Sequence, residues 1–87
     1  MNPRFSLGRI VATPAVIALG IDLSKYVFRH HCGDWGDLDR ADKLANEDAL
    51  LQGYRILSVY EIPEGERLYV VTEADRSSTC LMLAAEY

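Results

Sequence analysis

Arg55-Ile56-Leu57-Ser58-Val59-Tyr60-Glu61-Ile62, Pro63-Glu64-Gly65-Glu66 and Arg67-Leu68-Tyr69-Val70-Val71-Thr72-Glu73 form the run in which the chemistry of this chain changes. Before it, apolar residues recur at helical spacing. Within it they are β-branched and aromatic, the types that suit a pleated, half-buried surface. Residues 55–62 and 67–73 therefore read as strands, joined by a turn at 63–66. A second turn, Ala74-Asp75-Arg76-Ser77, leads into a third strand over 78–84. Short connections between consecutive strands give an antiparallel meander. Neither the second nor the third strand alternates cleanly, so one of them is expected to be covered on both faces.

Upstream of the strands, Gly53 ends a helix over Arg40 to Gln52, capped by Asp37 or Asp39. Its Leu44 and Leu51, and its Ala41 and Ala45, lie at helical spacing, with Ala49 beside them. An earlier helix runs from near Asp22 or Ser24 to His31 or Cys32. Leu23, Tyr26, Val27 and His30 share one of its faces and Gly33 stops it. Thr13-Pro14 starts a short helix that ends at Gly20, because the hydroxyl caps free N–H groups and proline sits where its missing N–H does no harm. Residues 9–12 make a short strand that can join a sheet edge, and residues 1–7 are expected to fray. The expected architecture is a single α+β domain over residues 1–87. Its N-terminal helices pack on one face of a three-stranded antiparallel β-meander.

With 49% apolar and 25% charged residues, 87 residues can bury one modest core. The net charge of −4 is unevenly spread: residues 1–33 carry +3, residues 34–48 carry −4 and residues 49–87 carry −3. No run rich in Lys or Arg exists, which argues against tracking a phosphate backbone, so no direct nucleic-acid partner is expected. Cys32 and Cys80 are too few for a disulfide framework and fit a reducing cytoplasm. The apolar run Ile10 to Ile21 is interrupted by Pro14, lacks a cleavage site and is too short to span a bilayer. A cytoplasmic protein without a membrane partner is expected.

Chemistry-bearing residues concentrate in His30-His31-Cys32-Gly33-Asp34-Trp35-Gly36-Asp37-Leu38-Asp39. This stretch is either a site or a helix-to-helix corner. Adjacent helical residues point about 100° apart, so His30 and His31 cannot share one ion unless the helix end unwinds. Cys32, Asp34 and Cys80 complete no zinc spacing, and Asp34, Asp37, Asp39 and Asp42 miss the calcium-loop spacing. No metal or cofactor is expected.

Acid–base cleavage of RNA needs less apparatus: a group to move a proton, a cation for the phosphate and a hydroxyl to orient it. His30 or His31, Arg55, and Thr72, Ser77 or Thr79 offer these. Helices followed by an antiparallel sheet that bears such residues resembles, in topology, the small barnase/RelE-like ribonuclease toxins, although those are usually basic. The alternative is structural: His31 capping its helix, Arg55 pairing with an acid of the third helix, and the hydroxyls serving turns.

A resemblance at the level of words covers nearly the whole chain. Gly8-Arg9-Ile10-Val11-Ala12-Thr13-Pro14 comes first, then Arg29-His30 with Gly33-Asp34-Trp35-Gly36-Asp37-Leu38. Thr72-Glu73-Ala74-Asp75-Arg76-Ser77 and the closing Glu86-Tyr87 follow. Together these resemble a family of small bacterial proteins carried on plasmids, prophages and other mobile elements, a family that brings no assigned activity with it. Ala84-Ala85 stands where the family has a proline-containing ending.

That setting implies an inhibitor of host defence, anti-CRISPR or anti-restriction, that binds a protein and masks its nucleic-acid surface. Acidic residues can compete for a basic groove and speed the encounter. The expected partner-binding residues are Asp34, Trp35, Asp37, Asp39 and Asp42. Trp35, Tyr54 and Tyr60 are aromatic anchors if exposed, and core residues if not. A hydrophobic strand edge can also pair two copies into a homodimer.

Overall fold

The computed structural model describes residues 2–63 and 65–87. Glu64, in the expected 63–66 turn, and Met1, in the expected fraying segment, lie outside the described residues. In chain order come β1 (Arg9–Ala12), α1 (Pro14–Ile17), α2 (Ser24–His31), α3 (Arg40–Gln52), β2 (Ile56–Glu61), β3 (Arg67–Thr72) and β4 (Ser78–Leu83). A 3-10 turn, Ala84–Glu86, closes the chain. None of the helices among these residues is long and apolar enough to cross a membrane.

Local chemistry sets the helix ends. The Thr13 hydroxyl accepts the Val16 N–H at 3.4 Å, with Pro14 in the first turn of α1. The Asp22 carboxylate accepts the Ser24 N–H and hydroxyl at the start of α2, which holds its carboxyl below the ordinary range. Asp39 caps α3, accepting the Asp42 N–H at 2.8 Å. A carboxylate there satisfies a free donor and faces the positive helix end.

The α+β class holds, but the sheet has four strands and is mixed rather than a three-stranded antiparallel meander. Its order is β1-β4-β3-β2, with β1 parallel to β4 and the other pairs antiparallel. A strand of four residues carries no periodicity that names a partner, and this partner lies at the far end of the chain. Nor does the N-terminal segment fray. The Arg4 N–H donates to the His31 carbonyl at 2.9 Å, and the Arg4 guanidinium makes two hydrogen bonds to Glu47. Gly8 passes so close that a Cβ there would lie 2.4 Å from the Ser77 carbonyl oxygen.

Register and alternation put Ser58 and Tyr60, Leu68, Val70 and Thr72, Thr79 and Leu81 on one sheet face. All three helices cover that face. Val16 of α1 and Tyr26 of α2 join Tyr60, Leu68, Val70 and Leu81 in the main core cluster. Ala49 of α3 joins Trp35 and Ile56 in a second. Each large side chain so buried contributes about 1.5–3 kcal/mol.

The rotation of α3 is the second departure from the sequence reading. Its inward positions are Asn46 and Ala49, while Leu44 and Leu51 are 57% and 84% exposed. Asn46 decides this: its amide donates to the Leu57 carbonyl at 2.7 Å and accepts the Leu57 N–H at 3.2 Å. Leu57 faces the outer edge of β2, so this one side chain satisfies both of its main-chain groups. Replacing Asn46 with Leu is expected to cost about 2 kcal/mol, because it strands those two groups. Leu51→Ala should stay within about 0.5 kcal/mol. Urea unfolding midpoints check this, and a larger loss for Leu51→Ala contradicts the assigned rotation.

Candidate interaction surface

His30 lies in the last turn of α2 and is 0% exposed. Its Nδ1 lies 2.5 Å from Ser58 Oγ and its Nε2 2.8 Å from Thr72 Oγ1. Thr72 Oγ1 lies 2.7 Å from Thr79 Oγ1, whose hydroxyl donates to the Leu7 carbonyl at 2.7 Å. Each hydroxyl has one proton, so the carbonyl at the end sets every direction. Thr79 donates to Leu7, Thr72 to Thr79, and the His30 Nε2–H to Thr72. Neutral His30 then accepts the Ser58 hydroxyl at Nδ1. Burial, with a smaller push from neighbouring His31, brings the His30 pKa from 6.5 down to about 3. Both ring nitrogens are engaged and enclosed, so His30 serves neither as a metal ligand nor as a proton carrier for a bound phosphate.

The next residues close the edge of β2. Asp34 accepts the Arg29 Nε–H at 2.7 Å and the Gly36 N–H at 3.2 Å. Its carboxyl is held below the ordinary range, first by Arg29. Arg29 also lies 4.5 Å over the Tyr60 ring, whose hydroxyl donates to the Asp34 carbonyl at 2.6 Å. Trp35 is 4% exposed, and its indole N–H donates to Glu47 at 2.9 Å. Glu47 is held below the ordinary range by Arg4 and then by Trp35. The Asp37 N–H donates to the Val59 carbonyl at 2.7 Å and the Val59 N–H to the Trp35 carbonyl at 3.2 Å. Gly36 allows this approach: its φ is +75°, and a Cβ there would lie 1.9 Å from the Val59 carbonyl oxygen.

The five residues named from sequence therefore divide. Asp34 and Trp35 are committed to the corner, Trp35 as core, and Tyr60 is likewise buried at 1%. Asp39 is exposed but caps α3. Asp37 and Asp42 are exposed, and their carboxylates make no hydrogen bond among the described residues. Asp37 stands in the turn before α3, whereas Asp42, four residues before Asn46 and seven before Ala49, lies in the first turn on the side of the helix away from Leu44 and Leu51. Positions 41, 44, 48 and 51 follow a 3-4-3 spacing and form one outward stripe: Ala41, Leu44, Asp48 and Leu51. The signal for this was present in the sequence. Asp48 shares the stripe, and a carboxylate on a face argues against burying it.

The other expectations resolve locally. Arg55 pairs with Glu73 at 3.2 Å, not with an acid of α3. Thr72 and Thr79 belong to the buried chain, not to turns, whereas Ser77 serves its turn through Asp75. Arg76 caps α3 from a distance, donating to the Ala49 carbonyl at 3.0 Å and the Tyr54 carbonyl at 2.7 Å. His31 is half-buried, with the Phe5 ring 6.1 Å from its own. Both cysteines are free thiols. Among the described residues no group of three or more His, Cys, Asp or Glu side chains is placed to hold a metal ion.

The buried imidazole makes a testable demand on pH. The unfolded chain takes up a proton near 6.5, and folded His30 does so only near 3. Its contribution is therefore complete above pH 6.5 and lost as the pH falls towards 3, at up to about 1.4 kcal/mol per pH unit. Asp34 and Glu47, with lowered values, add their losses only below the ordinary carboxylate range. The urea midpoint should thus fall between pH 6.5 and 5. In His30→Gln, which keeps a donor and an acceptor without titrating, that slope should shrink. Equal slopes would contradict the buried neutral imidazole. Comparison of the chain with protein-family models, curated proteins and solved structures finds no match.

Proposed function

We propose that the chain is a non-enzymatic protein-binding module of a mobile genetic element, an anti-defence inhibitor that works through the outward face of α3 and the acidic turn before it. The observation that carries this reading is the pair Leu44 and Leu51, 57% and 84% exposed on a helix whose rotation Asn46 fixes. Exposed leucines one heptad apart, with Asp48 between them on the stripe and Asp37 in the turn before the helix, combine an apolar centre with a charged rim, which is the anatomy of a protein interface. The acids supply attraction to a basic groove and a faster encounter. Arg40 and Lys43 on the same helix moderate the field, so the apolar pair carries the affinity and the acids the approach.

Three variants test this without touching the core. Leu51→Asp removes the apolar centre. Asp37→Lys with Asp42→Lys reverses the turn, while Asp39→Asn keeps a competent cap. The chain is expected to raise the transformation efficiency of a targeted plasmid by an order of magnitude or more in a host armed with a CRISPR or restriction system. Leu51→Asp and the double reversal should abolish the effect with unfolding midpoints near that of the parent. Retained protection in both variants contradicts the surface. Breakdown of total RNA on expression of the parent chain would contradict a non-enzymatic module.

A further inference from the structure

We infer that the free edge of β1 is a pairing site, at which a second copy of this chain adds its own β1 antiparallel. The two outer strands of the sheet, β1 and β2, are finished differently. On β2 the outward main-chain groups of Leu57 go to Asn46, and those of Val59 go to Trp35 and Asp37. On β1 the ladder to β4 uses the odd positions. The Arg9 N–H donates to the Ser77 carbonyl and the Thr13 N–H to the Leu81 carbonyl, both at 3.0 Å. Ile10 and Ala12 therefore turn their N–H and C=O groups away from β4. These groups make no hydrogen bond among the described residues. Ile10 and Val11, on opposite faces of the strand, remain 52% and 40% exposed. An open edge of this kind is a template for another strand. Gly8, at a φ of +63°, and Pro14, which has no N–H, bound it on either side.

Charge and register name the occupant. Arg9 stands at one end of the edge, exposed and in no ion pair among the described residues. At the other end Glu86 accepts the Thr13 hydroxyl and the Leu83 N–H, each at 2.8 Å. Both bonds fall on Oε1, so Oε2 makes none among the described residues. A strand that pairs here needs an acid facing Arg9 and a cation facing Glu86. β1 itself, turned by a two-fold axis through Val11, supplies both. That axis sets Ile10 against the partner's Ala12, where their N–H and C=O groups satisfy one another. Val11 then faces the partner's Val11, and Arg9 faces the partner's Thr13 with Glu86 bonded to it. Alternation keeps Arg9, Val11 and Thr13 on one face, so the charge pairs flank the valine contact. A two-fold through Ile10 would instead set Arg9 against Val11 and Ala12 against Gly8, whose backbone has left the strand conformation. α3, bound to β2 at the opposite edge of the sheet, takes no part.

Sedimentation equilibrium and disulfide trapping test this together. The parent chain should pass from its 9.8 kDa mass towards twice that mass as its concentration rises through the micromolar range. Arg9→Glu and Glu86→Lys should each weaken the dimer about tenfold or more, since each sets like charges opposite one another at both ends of the pairing. Mixed in equal amounts, the two variants should associate again as a heterodimer, because each reversed charge then faces its opposite. Recovery on mixing separates a lost contact from a lost fold. In a chain carrying Cys32→Ser and Cys80→Ser, Val11→Cys should oxidise to a disulfide-linked dimer and Ile10→Cys should not. Facing residues of a non-hydrogen-bonded antiparallel pair have Cα atoms about 4.5 Å apart, within disulfide reach. Leu51→Asp should leave the dimer intact, which separates this inference from the α3 reading. A monomer at millimolar concentration overturns the proposal. So does a dimer that shows neither recovery on mixing nor the Val11→Cys disulfide, or one that Leu51→Asp abolishes.

Discussion

The imidazole of His30 is the hinge of the assembly, because the hydrogen-bond chain that runs through it ties together four separate parts of the sequence. Ser58 comes from β2, Thr72 from β3, Thr79 from β4, and the Leu7 carbonyl from the arm before β1. Only one pattern of protons satisfies this chain, so the network specifies register as well as satisfying donors. Slipping β3 by one residue would turn Thr72 away and leave the ring nitrogen bare. An unmet polar group at that depth costs about 1–3 kcal/mol, a large fraction of the stability of a domain this small. Of the residues that suggested acid–base chemistry, His30, Thr72 and Thr79 are thus part of the polar skeleton of the core. Burial first, and then the neighbouring His31, keep the ring uncharged.

The edge of β2 shows the same economy. Its outward main-chain groups at Leu57 go to the Asn46 amide, and those at Val59 go to Trp35 and Asp37. An edge closed in this way offers no template to another strand. The price is orientation: to present Asn46, α3 must turn Leu44 and Leu51 to solvent. Hydrogen bonds to a strand edge therefore override the apolar periodicity of the helix, and the exposure of Leu44 and Leu51 is a consequence of how the sheet is protected.

Much of the fold was legible. Thr13-Pro14, the Asp39 cap and Gly53 marked helix ends that stand where the residues place them, and β2, β3 and β4 fall within one or two residues of the expected spans. What could not be read depended on distance along the chain. Arg9–Ala12 carries no mark of its parallel partner Ser78–Leu83, and nothing in Arg4 foretells its pairing with Glu47. Of the candidate surface, Asp37 and Asp42 were legible as exposed acids. Leu44 and Leu51 were legible only through Asp48, which shares their stripe, because amphipathic spacing alone identifies an apolar face without saying whether a sheet lies beneath it. Trp35 was ambiguous for the same reason: one tryptophan among aspartates suits an anchor or a plug, and Glu47 chose between them by accepting its N–H.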